Sequence, residues 1–542
     1  MSLRELYTNE IREFVDSITV LVNNREFPRA IDLINRKLDT IKENKLAEDY
    51  FLKFELAGFL IDIGHDSRRE EPVLQGLEIM LAEKDEVMDY IWIGSIEYNL
   101  GNAKDTLFKI QREKDNFKYI PKNITYLLEA KNHFWRAYKF EMEIKKEFVP
   151  HLITNLANSL SSCGRIAESL QFYDLVLKKY PEFPQANASR SNELIWLKNI
   201  SLGLTQNLVY QAKIGYDTAS KATDIPGWMI EIWRNKSTFL ANVLKEMEFD
   251  ESSIHIDLEE TKKERESHSD CRIFSIENYL TLSEHALYCA CIRARRDELM
   301  ICIPHSPFSA EYIPLMEKTL NRLKSEFSLA RLFYFFSIYD TSNAFKTYEA
   351  EVMFSELYDN EYLGTDSELL RTSFRLCFGI LDKIAVAICR LFDLSDKREP
   401  IYFEKFWNPK NKKSQKQSTR WERINSVENI SLLALYSQAM DLNSEQGEWS
   451  LFKSWRNSLE HGQLILIEDE DFEDKFSIND NPNLVLVSKK YFIEKTLMML
   501  QFTRSAIFNF VFMVRNEANN YKPEKEGEPS KHTFNFKNDS EV

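Results

Sequence analysis

The scarcity of residues that break regular structure constrains this fold most. The chain contains 14 Gly and 15 Pro among 542 residues, about 5% together, compared with about 12% in average proteins. Because these two residues end helices and occupy tight turns, their rarity excludes a turn-rich sandwich, a collagen-like repeat and a long Gly- or Pro-rich linker. The length allows two to four domains. The sequence therefore predicts an all-α protein whose helices are joined by short connections.

Charge and hydropathy restrict where this protein acts. The net charge of −15 argues against coating of nucleic acid by the overall field, so such a contact would be local. The start, MSLRELYTNEIREFV, has no apolar core of the kind found in signal peptides. Seven cysteines without a Cys-x-x-Cys pair argue against a disulfide framework and a zinc site. We expect a soluble, reduced, cytoplasmic protein.

One stretch approaches the composition of a membrane span. Leu497–Val514 is largely apolar. It contains Gln501, Arg504 and Asn509, which would be costly in hydrocarbon. We therefore interpret it as a buried helix and expect no membrane contact.

Residues 1–245 carry a loose internal repeat. Four glycines follow apolar, helix-like runs: Gly64, Gly101, Gly164 and Gly203. They are separated by 37, 63 and 39 residues, and 63 is close to two units of about 32. Such spacing is typical of stacked helix pairs. The clearest unit, Ile153–Ala186, has its turn at Gly164 and resembles the tetratricopeptide repeat. This resemblance implies a helical solenoid that binds a protein or peptide ligand. The alternative is an irregular helical bundle.

The pattern changes along the rest of the chain. A charged run, DLEETKKERESHSD, follows the repeats, longer apolar helices begin near residue 355, and the end is polar. We predict a repeat domain at 1–245, a helical connecting region at 246–354, a helical bundle at 355–519 and a disordered tail at 520–542. The helices predicted in the bundle are Ser367–Leu394, Val427–Met440, Glu448–Glu460 and Ser488–Glu517.

Two β-branched segments interrupt this bundle. Gln463–Ile467 and Leu484–Val487 lie on either side of the acidic run Glu468–Asp474. We predict that they pair as a small inserted hairpin. The contiguous carboxylates lack a partner cluster, so we interpret the acidic run as a loop and predict no metal site and no cofactor.

The segment WRNSLEHG contains the strongest candidate for chemistry. Arg456 and His461 are separated by four residues, and Asn457 follows the arginine. Chance supplies about one such Arg–His pair in a chain of this composition, so the spacing alone decides nothing. Helical periodicity, however, directs Arg456 toward the apolar stripe of Trp449, Phe452 and Leu459, where an unpaired cation is costly. Gly462 is a natural helix terminator, which frees His461 to turn back toward Arg456.

An Arg-polar-x-x-x-His motif at a helix end, within a bundle of long helices, resembles the HEPN superfamily. The resemblance covers about 355–519, and Arg456, Asn457 and His461 match the motif in full. It implies a metal-independent endoribonuclease, used as a regulated toxin or antiviral effector, whose site forms between two copies in a homodimer. The structural alternative is an Arg456 bonded to a buried carboxylate and a His461 that caps its own helix.

A basic stretch in the same domain is a candidate RNA contact, with Trp407 and Trp421 at its edges. Such a segment can hold an RNA backbone while aromatic side chains stack on bases. A solvated loop is an equal alternative. The residues concerned are Lys410, Lys412, Lys413, Lys416, Arg420 and Arg423.

A non-catalytic protein is the main alternative to the nuclease. In that interpretation the helical repeats bind a partner, and the C-terminal bundle dimerises or binds a nucleotide or RNA without cleaving it. Loss of RNA cleavage in a His461→Ala variant would separate the two.

Overall fold

The architecture was obtained from a computed structural model. It describes residues 7–41, 47–88, 91–115, 124–203, 205–250, 266–289, 296–302, 310–339, 352–355, 361–394, 401–407, 424, 426–443, 447–468 and 484–520. The prediction of an all-α protein is confirmed: these residues form 18 α-helices and one two-stranded sheet.

Helices follow one another closely in the N-terminal part of the described chain. A single π-helical segment, Lys139–Ile144, follows the seventh of them. The helices are α1 (Asn9–Asn23), α2 (Phe27–Thr40), α3 (Ala47–Ser67), α4 (Glu70–Ala82), α5 (Lys84–Met88), α6 (Ile93–Lys114), α7 (Ile124–Tyr138), α8 (Pro150–Ser162), α9 (Ile166–Lys179), α10 (Pro184–Ile200), α11 (Thr205–Ala219) and α12 (Gly227–Glu246).

The remaining elements include the three longest helices of the described chain. The elements are α13 (Asp270–Glu277), α14 (Ile313–Ile338), α15 (Thr365–Leu391), α16 (Ile430–Asp441), α17 (Ser450–His461), β1 (Gln463–Ile467), β2 (Leu484–Ser488) and α18 (Lys489–Asn520). By contacts the chain divides into a first unit (1–163, 172–190 and 214–237) and a second unit with the remainder.

Consecutive helices pack in pairs in the first unit, as helical repeats require. Helices α8 and α9 lie where the clearest repeat was predicted: Gly164, between them, adopts a φ of 78°, and Tyr173 Oη donates to Asn158 Oδ1 at 2.7 Å. Gly101 instead lies inside α6, where a Cβ atom would come within 2.7 Å of the Phe134 ring. Gly101 thus permits close packing of α6 and α7 rather than a turn.

Helix α18 forms the core of the second unit. By length and composition it is the one described helix that could cross a membrane, yet 83% of its most apolar window is buried. Its polar residues bond to protein groups: Gln501 donates to Asn278 O at 3.0 Å, Arg504 to Thr281 O at 2.8 Å and Asn509 to Gln438 at 3.1 Å. These bonds pair most of the polar groups that hydrocarbon would leave unpaired, in agreement with the predicted buried helix, although Arg504 Nη2 and Asn509 Oδ1 are buried without a hydrogen bond to a described residue.

The predicted hairpin is wrong in direction. β1 and β2 pair in parallel, with Gln463 opposite Leu484 and Ile467 opposite Ser488. The segment between the strands, 468–483, is long enough for the crossover that parallel pairing requires, whereas a hairpin needs only a tight turn. On the other edge of β1, Leu466 O accepts from Tyr362 N at 2.8 Å, and Leu464 O accepts from Arg371 at 3.1 Å.

A buried ionic group in the second unit joins the start of α9 to α16 and α18. Arg165 is fully buried and donates twice to Glu168, at 2.6 and 2.7 Å, and once to Asp441 of α16. Ser505 of α18 donates to Glu168 at 2.8 Å. Removing either charge sign from such a group leaves the other uncompensated in a low-dielectric interior.

Candidate functional site

Helix α17 presents the Arg456 motif. Phe452 and Trp455 are buried and pack against Phe374 of α15 with ring centroids 5.9 and 6.0 Å apart. The helix ends where Gly462 N donates to Ser458 O at 3.0 Å. The buried stripe thus runs through Trp455, which places Arg456 at its edge rather than at its centre.

Arg456 is oriented without being bonded tightly. Its side chain is 25% exposed, and its Nη2 lies 3.9 Å from Asp382 Oδ2 of α15. The guanidinium carbon lies 5.9 Å from the centroid of the Tyr402 ring. A separation of 3.9 Å is an ion pair but not a hydrogen bond. Within the described part of the chain, the guanidinium N–H groups of Arg456 therefore have no hydrogen-bond acceptor. The structural alternative predicts a different arrangement, in which Arg456 is hydrogen-bonded to a buried carboxylate.

Asp382 connects three elements at this site. Its Oδ1 accepts from Phe403 N at 2.9 Å, which fixes the segment 401–407 against α15. In that segment Glu404 pairs with Lys453 of α17 at a distance of 3.3 Å. Burial raises the pKa of Asp382 to about 6, with Glu404 adding to the rise, while the Phe403 bond and Arg456 oppose it. The counter-charge facing Arg456 is therefore lost in mildly acidic solution.

His461 and Asn457 lie on the solvent side of α17. Both are exposed, and because they are four residues apart they share one face of the helix. The helix is continuous through His461, so the side chains of Arg456 and His461 leave its axis about 140° apart. The expected turn of His461 back toward Arg456 is not seen, because α17 does not end before the histidine.

The basic stretch cannot be placed in the same way. Its six residues (Lys410, Lys412, Lys413, Lys416, Arg420 and Arg423) and Trp421 lie outside the described residues, so their role in RNA binding stays a prediction. Trp407, however, is 2% exposed and packs on Phe406 and Tyr436 with ring centroids 4.1 and 5.5 Å away. It is a core residue, and the expectation that it stacks on bases is wrong.

The comparison with known protein families identifies the domain in which these residues lie. Residues 308–517 match the family described as LA2681-like HEPN. This segment is a HEPN domain. No curated protein and no solved structure matches the chain. The HEPN domain contains Arg456, Asn457 and His461, and its matched range begins before α14, within the region that the sequence pattern assigned to a connection.

Sequence patterns missed the partners of Arg456 within the HEPN domain. Asp382 and Tyr402 lie far before it in the chain, and neither belongs to a local motif. The one available signal was physical: a cation beside an apolar stripe requires a carboxylate or an aromatic face nearby.

Substitution of Asp382 tests the shifted pKa. Between the ordinary value of 3.8 and the folded value of about 6, the carboxyl ionises more readily in the unfolded chain, so stability falls as the pH rises through this window. We expect Asp382→Asn, which retains an acceptor for Phe403, to unfold at higher urea concentration than the wild type at a pH of about 7.5. The difference between the two urea midpoints should become smaller as the pH is lowered toward about 4.5. A difference that does not change with pH would contradict the raised pKa of Asp382.

Proposed function

We propose that this protein is a metal-independent endoribonuclease with Arg456, Asn457 and His461 as its catalytic residues. The main support is the state of Arg456: a half-buried guanidinium, oriented by Tyr402 and a 3.9 Å ion pair, whose hydrogen-bonding fork is uncommitted among the described residues. A fork of this kind matches the geometry of a phosphate group. HEPN domains are in general ribonucleases, which agrees with this proposal.

The side chains of His461 and Arg456 suffice for a complete cleavage reaction on RNA. A base removes the proton of the ribose 2′-OH, the 2′ oxygen bonds to the adjacent phosphorus, and the bond from phosphorus to the 5′ oxygen breaks. An acid protonates the leaving oxygen, which gives a 2′,3′-cyclic phosphate and a 5′-OH. Imidazole is the usual side chain for such proton transfers, and His461 is exposed to solvent, where a substrate can reach it. Arg456 stabilises the charge on the phosphate oxygens in the transition state.

A homodimer explains how the two groups act together. On one α17 helix the side chains of Arg456 and His461 diverge by about 140°. A two-fold axis close to α17 would bring the arginine of one copy toward the histidine of the other, because an isologous contact pairs the same surface with itself. We therefore propose that the active site is shared between two subunits.

The domain arrangement suggests regulation. A helical-repeat unit binds a protein or peptide ligand along its surface, and the HEPN domain cleaves RNA. In our proposal the repeat unit senses a trigger and thereby controls a toxic nuclease that acts in antiviral defence. The non-catalytic scaffold is the alternative outcome of the tests.

Substitutions of Arg456 separate the contribution of its positive charge to RNA cleavage from that of its fork-shaped guanidinium. We expect Arg456→Ala to reduce the rate of RNA cleavage by about 10²–10³, the usual loss for one preorganised donor to a transition-state oxyanion. Arg456→Lys should fall between this variant and the wild type, because it keeps the charge and loses the fork. Single-turnover cleavage of labelled RNA measures the effect. Ser454→Ala, on an exposed position of the same helix, is the control, and equal rates for all four proteins would refute a role for Arg456.

A further inference from the structure

A second feature of the HEPN domain lies on the other side of α15. A cavity of about 360 Å³ opens between α14 and α15, a volume in the range of small-ligand sites. Its floor is apolar and consists of Leu315, Val386 and Ala387. Leu315 is 45% exposed, so the cavity is a surface groove with an apolar base.

Four cations surround this floor. Lys318 and Arg322 come from α14, and Lys383 and Arg390 come from α15. One carboxylate partly offsets them: Glu326 lies 2.6 Å from Arg322 and 2.9 Å from Lys383. Lys318 and Arg390 are exposed and have no ion-pair partner among the residues that the structure describes. In a chain with a net charge of −15, this is a local concentration of positive charge.

The two helices arrange these cations in two rows. Ser373 Oγ donates to Ala330 O at 2.8 Å, and Lys383 contacts Glu326, so α14 and α15 run antiparallel. Lys318 and Arg322 are four residues apart on one helix and thus lie on one face. Lys383 and Arg390 are two turns apart on the other. An extended polyanion can contact both rows at once.

The groove and the candidate active site share one turn of α15. Lys383 directly follows Asp382, whose carboxylate faces Arg456 at 3.9 Å. The same turn of α15 therefore contributes to both sites.

We propose that this groove, formed by α14 and α15 around Leu315 and Ala387, binds the phosphate backbone of the RNA substrate beside the cleavage site. This inference rests on the proposed ribonuclease function. Exposed cations hold phosphates by releasing counterions, and the apolar floor accommodates the face of a ribose or a base. Charge complementarity selects a polyanion, and the adjacent positions of Asp382 at the Arg456 site and Lys383 in the groove favour the strand that is cleaved.

Binding measured without cleavage tests the proposal. The full-length His461→Ala protein is titrated into a labelled single-stranded RNA at several salt concentrations, and fluorescence anisotropy reports the affinity. We expect the added pair Lys318→Gln and Arg390→Gln to weaken binding about tenfold near about 0.1 M salt. The slope of log K against log salt should fall by about 1.4, or about 0.7 for each lost phosphate contact. Lys490→Gln, an exposed cation on α18, should change neither quantity by as much.

The outcomes separate this inference from the proposed function. Unchanged affinity and slope in the double variant would overturn the groove, whether or not the wild type cleaves RNA. An altered oligomeric mass in light scattering together with an unchanged slope would also overturn it and would assign the groove to a second copy of the chain. Weakened RNA binding supports the groove even if the wild type proves unable to cleave RNA, a result that would refute only the nuclease.

Discussion

Replacing His461 with alanine is expected to lower the rate of RNA cleavage by about 10²–10⁴, the range that a positioned general acid or base contributes. The side chain is exposed at the last residue of α17, and no described group depends on it for packing. The loss should therefore occur without a change in the urea midpoint of unfolding. Single-turnover cleavage and urea titration of the same preparations measure the two quantities.

Two comparisons make the His461 result specific. Glu460→Ala removes the exposed neighbour on the same helix end and should retain the wild-type rate within a few fold. Mixing His461→Ala with Arg456→Ala protein should restore part of the activity if each site takes its arginine and histidine from different subunits. A mixture as inactive as its two components would contradict a shared site.

Replacing Arg165 with methionine is expected to produce the largest loss of stability, about 3–5 kcal/mol, as for other buried ion pairs that lose one partner. Arg165 and Asp441 are fully buried and Glu168 nearly so. Without the guanidinium, the carboxylates of Glu168 and Asp441 remain in the interior and lose the cation that both contact. The free energy of unfolding from urea titration near neutral pH measures the loss.

Charge balance rather than side-chain volume should account for the Arg165 effect. Adding Asp441→Asn to Arg165→Met removes one of the two buried carboxylate charges. The double variant should therefore recover part of the lost free energy of unfolding. Arg322→Met breaks a pair of similar length, 2.6 Å, whose arginine is 68% exposed, and should cost less than about 1 kcal/mol. Similar losses for Arg165→Met and Arg322→Met would refute the role given to the buried network.

Local signals predicted the helices of the HEPN domain well. Apolar residues recur with helical spacing in α15 and α18, and Gly462 marks the end of α17. The helix predicted at Val427–Met440 begins three residues later, at Ile430, because Asn429 caps it by accepting from Ser431 N and Leu432 N at 3.1 and 3.2 Å. The Arg456 motif was found because its residues lie within a single helix.

What the sequence did not predict depends on contacts between distant segments. The parallel direction of β1 and β2 could not be predicted, because the alternation of apolar residues is the same for parallel and antiparallel pairing. Gly101 follows an apolar run, as a glycine at a helix end does, yet it lies inside α6 against the Phe134 ring, and no local feature of the sequence distinguishes these two roles. Asp382 faces Arg456, and Trp407 is buried against Tyr436, only because separate helices converge. Contacts between residues so far apart in the sequence can be identified only once the fold is known.

The most direct test of the central claim combines cleavage with analysis of the RNA ends. Purified full-length protein and its His461→Ala variant are incubated with RNA in the presence of EDTA, together with the trigger if one is needed, and the termini of the fragments are determined. We predict fragments with 2′,3′-cyclic phosphate and 5′-OH ends from the wild type and at least about a hundredfold fewer from the variant. Equal cleavage by both proteins, or 3′-OH and 5′-phosphate ends, would contradict the proposed mechanism.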